Sequence, residues 1–224
     1  MNERFFSRLV VLFFAVALSA CGDGSKGDID YTALGASDAA GVGATPITNG
    51  YVYLVRDGIE ASGKQVDLSN LGIPGAKIGD IDNLEIQLLK LNKPALITLS
   101  TGANDLIHGD AVDQFESDLQ GLLGKLRSIS PGAVIAISNL PNLIMIERFV
   151  ENPDADVTTI RIQAYNQAIA RQAQAFNALL VDLYSVPLND SLVSEADEFH
   201  PNDRGHSAIA NEFLKVLVPV IVNL

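Results

Sequence analysis

Cysteine, tryptophan and basic residues are what this sequence has little of. Its 224 residues hold one cysteine, no tryptophan, and 15 lysines and arginines against 27 aspartates and glutamates. One cysteine closes no intramolecular disulfide, and no cysteine–histidine cluster has the spacing of a zinc site. The formal charge of −12 argues against a nucleic-acid partner, because phosphate binding needs a concentration of Lys and Arg that never appears. What is present is 48% apolar and 19% charged, which excludes wholesale disorder and allows a sizeable core. The length suits one compact domain.

The first residues stand apart from the rest. Arg4 and Arg8 precede an unbroken apolar run, Leu9 to Leu18. Ten helical residues span roughly 15 Å, about half a bilayer core, so the run is too short for a stable transmembrane anchor. A basic start, a short apolar stretch and small residues at its end describe an export signal. The run closes on Leu18-Ser19-Ala20-Cys21, which resembles the bacterial lipobox. That resemblance implies a signal peptide over 1–20 and a lipidated Cys21 as the first mature residue. It also implies attachment of an exported bacterial lipoprotein to a membrane, on its periplasmic side or at the cell surface. Residues 22–27 (GDGSKG) read as a flexible tether, and 28–224 as the folded domain. Without residues 1–20 the chain has 13 basic and 26 acidic side chains, a net −13.

From residue 28 strands and helices alternate. Asp28–Leu34, Gln65–Leu71, Ala95–Ser100, Ala133–Ser138 and Leu179–Leu183 are short, mostly apolar runs. Such runs suit strands buried on both faces of a parallel sheet. Val112, Phe115, Leu119, Leu122, Leu126 and Ile129 recur at helical spacing until Ser130-Pro131-Gly132 stops them. Ile162–Phe176 is helical, and a last helix starts after Pro201 with Asn202 or Asp203 as N-cap, burying Ile209, Phe213 and Leu217. Tyr51–Ala61 and Ile78–Leu91 fill the other crossovers. The pattern predicts an α/β fold, a three-layer α/β/α sandwich with a five-stranded, flavodoxin-like parallel sheet.

Ligands of such sheets bind beyond the carboxyl ends of the strands. Four segments carry chemistry there: Gly35-Ala36-Ser37-Asp38, Asn70 to Gly75, Thr101 to Asp105, and Asp197 to Asn202. A serine hydroxyl attacks only when a base takes its proton, and histidine does so when a carboxylate fixes its tautomer. Asp197 and His200, three residues apart, can meet within one turn of chain. Ser37 follows a strand in a tight turn, where its oxygen projects. The backbone N–H groups of Ser37 and Gly75 and the Asn104 amide are candidate donors to a developing oxyanion. Gly75, lacking a Cβ, would let a substrate oxygen approach the backbone.

These four blocks, in this order, resemble the SGNH (GDSL) hydrolase family over nearly the whole domain, Gly35 to Asn202. The resemblance implies Ser37 as nucleophile, Gly75 and Asn104 as oxyanion partners, and His200 as base with Asp197 behind it. Block one departs from the family's Gly-Asp-Ser, since Ala36 precedes Ser37 and Asp38 follows it. Gly41 and Gly43 follow in the position of the family's flexible loop. The implied chemistry is acyl-ester hydrolysis through a Ser37 acyl-enzyme, with no cofactor and no metal. Alternatives are acyl transfer by the same triad, or a non-catalytic surface lipoprotein that binds an acyl or glycan ligand.

Rival motifs are incomplete. Ala39 stands where an α/β-hydrolase elbow needs its second glycine, and no G-K-[ST] makes the turn a phosphate loop. Asp105 and His108 form a second D-x-x-H, expected to be a decoy. His206, which with His108 and His200 would make a metal site, is expected to pack or cap in the last helix. Ile144–Phe149, followed by 151–156, reads as the longest irregular stretch and as an acyl-binding wall or lid.

Overall fold

The computed structural model describes residues 28–89 and 93–221. The signal peptide, Cys21 and the tether expected at 22–27 lie outside the described residues. Five strands make one sheet: β1 (Ile29–Gly35), β2 (Val66–Asn70), β3 (Leu96–Ser100), β4 (Val134–Ser138) and β5 (Leu179–Val181). They run in the order β2-β1-β3-β4-β5, every neighbouring pair parallel. All five expected strands are present: β1 is shifted by one residue and the other four are trimmed by one or two. β3 is buried along its whole length while the edge strand β2 is only half-buried, as a central and an edge position require.

Helices cover both faces. On one side, α2 (Tyr51–Glu60) and α9 (Asp203–Ile221) pack Tyr51, Val55, Phe213 and Leu217 against Ile29, Tyr31 and Leu96. On the other lie α3 (Ile78–Asp80), α4 (Ile86–Leu89), α6 (Val112–Ile129) and α8 (Thr159–Ala175), with α5 (Ala103–Ile107) leading into α6. The helical spacing of α6 turns Phe115, Leu119, Leu122 and Leu126 onto the sheet, each buried side chain contributing about 1.5–3 kcal/mol. This is the three-layer α/β/α sandwich expected from the sequence.

The strand order places the site. Connections from β1 leave toward β2 on one side and, from β2, return to β3 on the other, so the order reverses between β1 and β3. At that reversal the loops diverge and open a crevice beyond the carboxyl ends. Ser37 leaves β1 and Asn104 leaves β3, the two strands that flank it.

Some local expectations are corrected. Residues 143–156 are not mainly irregular: a 3-10 turn, Leu143–Met145, leads into α7 (Glu147–Glu151), and burial of Ile146 and Phe149 fixes both. Ile209 is only partly buried and borders the crevice; Ala210 takes the inward position beside Phe213 and Leu217. The segment read as one helix over Ile78–Leu91 contains a π-turn at Ile81–Glu85 between α3 and α4. Among the described residues, no helix is long and apolar enough to cross a membrane.

Candidate active site

The turn that carries Ser37 is built by close backbone approach. At Gly35, φ is +144°, and a Cβ there would stand 2.3 Å from the Ser100 carbonyl oxygen. Only glycine lets β1 leave so near to β3. The short α1 (Ser37–Ala40) begins at once and ends on Gly41 in the left-handed conformation. Ser37 is therefore the first residue of a helical turn, where backbone N–H groups have no helical acceptor.

Asp38, the residue that departs from the family motif, anchors this turn. Its carboxylate accepts from the Ser100 hydroxyl and from the Ala39 N–H at 2.9 Å. Ser100 in turn accepts from Ser138 at 3.1 Å. A chain of polar contacts thus ties α1 to β3 and β4. Burial pushes the Asp38 carboxyl above its ordinary range, and these donors oppose the push.

His200 is held by its own loop. Nδ1 of His200 lies 2.6 Å from Asp197 Oδ2, while Asp197 Oδ1 accepts from the N–H groups of Phe199 and His200, both at 3.0 Å. Burial works to raise Asp197, yet the bond to His200 and the two backbone donors outweigh it and hold the carboxyl below its ordinary range. A charged Asp197 favours the tautomer with hydrogen on Nδ1 and leaves Nε2 free to accept a proton. Phe199 stacks edge-on against the imidazole at 5.1 Å between centroids.

The loop after Ser37 is pressed against the His200 loop. At Gly43, with φ +92°, a Cβ would stand 2.2 Å from the Pro201 carbonyl oxygen and 3.4 Å from the His200 Cβ. Gly41 and Gly43 thus act here as a helix stop and a contact point. Asp203 accepts from the Thr45 N–H at 2.8 Å and from the Asn49 amide at 2.9 Å. His206, fully buried, takes the Tyr51 N–H on Nδ1 at 3.2 Å and donates from Nε2 to the Val42 carbonyl at 3.0 Å. Burial holds His206 below its ordinary pKa. It cross-links the loop and α2 from α9, the packing role expected for it.

Of the expected oxyanion donors, Ser37 and Asn104 border one crevice, and Gly75 is not part of its wall. Gly75 lies one residue before Ala76, whose carbonyl accepts from the Asn104 amide at 2.9 Å. Its φ is +81°, and space beyond its would-be Cβ is open. Backbone conformation, then, calls for glycine at 75. Close approach is the role of Gly72, where a Cβ would stand 2.6 Å from the Ala40 nitrogen. The D-x-x-H at Asp105 and His108 is the expected decoy: Asp105 accepts from the Ile78 N–H, while His108 Nδ1 lies 2.7 Å from the Asn104 carbonyl.

Ser37, Asn104 and His200 share that crevice with Leu140, Leu143, Leu183, Leu192, Val193 and Ile209. Among the described residues no hydrogen bond joins Ser37 to His200; in a free enzyme such contacts often tighten only around substrate. The arrangement offers a hydroxyl, a carboxylate-backed imidazole and an amide donor beside an apolar wall. Sequence reasoning missed the backbone partners of His206, the close approach at Gly72 and the Asp38–Ser100 contact. The glycines were visible, but their neighbours lie far away in the chain.

A doubly wound sheet with a serine, an amide and a carboxylate-backed histidine at its reversal point defines a hydrolase class. Residues 33–208 match the GDSL-like Lipase/Acylhydrolase family, and the chain belongs to it. It is a hydrolase acting on ester bonds. Among curated proteins it is 23% identical over 212 residues to the uncharacterized protein YpmR of Bacillus subtilis (strain 168), covering 86% of this chain and 83% of that one. The family 3 carbohydrate esterase of Clostridium thermocellum superposes with a TM-score of 0.72 at 17% identity, over 87% of this chain and 98% of that chain. The psychrotrophic esterase EstA of Pseudoalteromonas sp., in a structure inhibited by monoethylphosphonate, gives 0.68 at 21% identity, over 87% and 99%. At these identities the likeness to solved structures speaks for the fold alone.

Proposed function

We propose that the chain cleaves carboxylic esters through a Ser37 acyl-enzyme. His200 takes the serine proton as Ser37 attacks the carbonyl carbon, then returns it to the departing alcohol. Asp197 stays ionised and stabilises the imidazolium. Water, deprotonated by His200, releases the acid and restores the serine. The Ser37 N–H and the Asn104 amide receive the negative oxygen of each tetrahedral intermediate. The observation that carries this reading is the meeting of Ser37, Asn104 and the Asp197-backed His200 in one crevice.

The apolar side of the crevice favours an aliphatic acyl group over a charged one. On this reading the enzyme takes esters of aliphatic acids with a small or extended alcohol. Cys21, lipidated, tethers the domain over residues 22–27 to a membrane. A panel of p-nitrophenyl esters of increasing chain length tests the catalytic part. The wild type is expected to turn over aliphatic esters, and Ser37→Ala to lose at least about a thousandfold in kcat. Full activity in Ser37→Ala would remove the nucleophile assignment.

A further inference from the structure

We propose that Glu85 is a positioning residue: its buried carboxyl group holds the Gly35 N–H and so fixes the turn that presents Ser37. The proposal rests on the reading of Ser37 as nucleophile.

Gly35 needs an acceptor from outside the sheet. The β1–β2 ladder ends with Ala33 opposite Asn70. Beyond it, Leu71 and Ile73 still donate to the carbonyls of Ala33 and Gly35, at 2.9 Å each. Carbonyl and N–H of one residue point to the same side of a strand, so the Gly35 N–H also points toward β2. There the departing chain offers it no carbonyl. Glu85 Oε2 supplies the acceptor, at 2.9 Å.

The helix is deformed where Glu85 sits. The π-turn Ile81–Glu85 widens the segment by one residue between α3 and α4, and Glu85 closes it. Such turns are costly and recur at functional positions. Glu85 is 0% exposed, and Ile81, Ile86 and Leu34 around it are buried too. Its second oxygen, Oε1, has no protein partner. A carboxylate with one donor and apolar walls is disfavoured against the neutral acid. The titratable groups that bear on it are Asp38 on α1 and the Tyr51 hydroxyl on α2. Lys125 of α6, which faces the π-turn, pairs with Asp82 at 2.5 Å. Burial, reinforced by the like charge of Asp38 and opposed by the Gly35 donor, pushes Glu85 up to about 8.

Gly35 stands two residues before Ser37, so loss of this bond frees the turn and misplaces the hydroxyl. The acyl ester itself never touches Glu85, which is absent from the crevice wall. The effect therefore belongs to kcat and leaves KM nearly unchanged.

The experiment compares wild type, Glu85→Gln and Glu85→Leu on p-nitrophenyl butyrate from pH 6 to 9.5, with melting temperatures over the same range in the absence of substrate. Glutamine keeps an acceptor for Gly35 and cannot ionise. It should retain wild-type kcat within about twofold at constant KM. Leucine should lose about ten- to a hundredfold in kcat at constant KM. A Glu85→Leu enzyme with wild-type kcat, or a Glu85→Gln enzyme that loses as much as tenfold, would overturn the proposal. Where Glu85→Leu does not fold, the kcat of Glu85→Gln and the melting curves decide. The melting curves do not involve Ser37: wild type should lose stability toward pH 8 relative to Glu85→Gln. Parallel curves overturn the role of Glu85, whereas an active Ser37→Ala overturns the nucleophile alone.

Discussion

Asp197 and His200 show how much one short motif can specify. Three residues apart, they meet through a loop whose own N–H groups hold the carboxylate, so their pairing was readable without the fold. Asn104 was readable as to place, since it follows β3. Its present partner, the Ala76 carbonyl, was not, because that contact joins two loops from different crossovers. On the proposed mechanism Asn104→Ala removes an oxyanion donor, and kcat should fall about a hundred- to a thousandfold with KM little changed. Steady-state kinetics on a p-nitrophenyl ester checks this. The backbone contacts of His206 and Glu85 were not legible in the sequence, for a common reason. Each acts on backbone atoms, Val42 and Gly35, that lie 164 and 50 residues away, and a single sequence holds no trace of such a pairing.

Strands and helices were easier to read than the segments that join them. The apolar runs at 95–100 and 133–138 and the spacing of α6 follow from burial on one face or two, and they reappear nearly unchanged. The stretch 143–156 was misread because its helical pieces, three and five residues long, are too short to show a helical period. Tertiary burial of Ile146 and Phe149 is what folds it. The π-turn was invisible for a similar reason, as a hydrophobic pattern does not distinguish four residues per turn from an inserted fifth. At this scale Gly43 is the sensitive point between the nucleophile loop and α9. Gly43→Ala forces a methyl group toward the Pro201 carbonyl at a positive φ, which costs about 1–3 kcal/mol or more. Its melting temperature should drop by several degrees, roughly 2–4 °C per kcal/mol for a domain this size. Its kcat should fall with it, because the same push moves His200.

The whole domain has a pH signature set by two opposed groups of carboxyls. Glu85 is raised to about 8 and Asp105 to about 6, in both cases chiefly by burial. Each binds its proton more tightly in the native state than in the unfolded chain, so its contribution is complete at low pH and is lost as pH rises through those values. Glu116 is lowered, chiefly by its bond from Arg171, and Asp203 chiefly by the Thr45 N–H; Asp197 is held low against burial by His200. Their contributions have the opposite sense and disappear in acid. Stability should therefore be greatest in acid near pH 4.5, the ordinary value of a glutamate, and decline toward pH 8 as Asp105 and then Glu85 ionise. Thermal melts across pH 3–9 check this, and a maximum above pH 7 would contradict it. For the lipoprotein proposal, mass spectrometry of the mature protein should find a diacylglyceryl group on Cys21; an unmodified cysteine rejects it.

The parallel sheet also orients the molecule. Every strand points the same way, so the chain enters β1 at Ile29 on one rim while Ser37, Asn104 and His200 gather at the other. Seven residues of β1 separate the two rims by about 23 Å. Whatever grips the amino end therefore holds the domain like a cup by its base. Its mouth, the crevice at the carboxyl rim, then faces away from that hold.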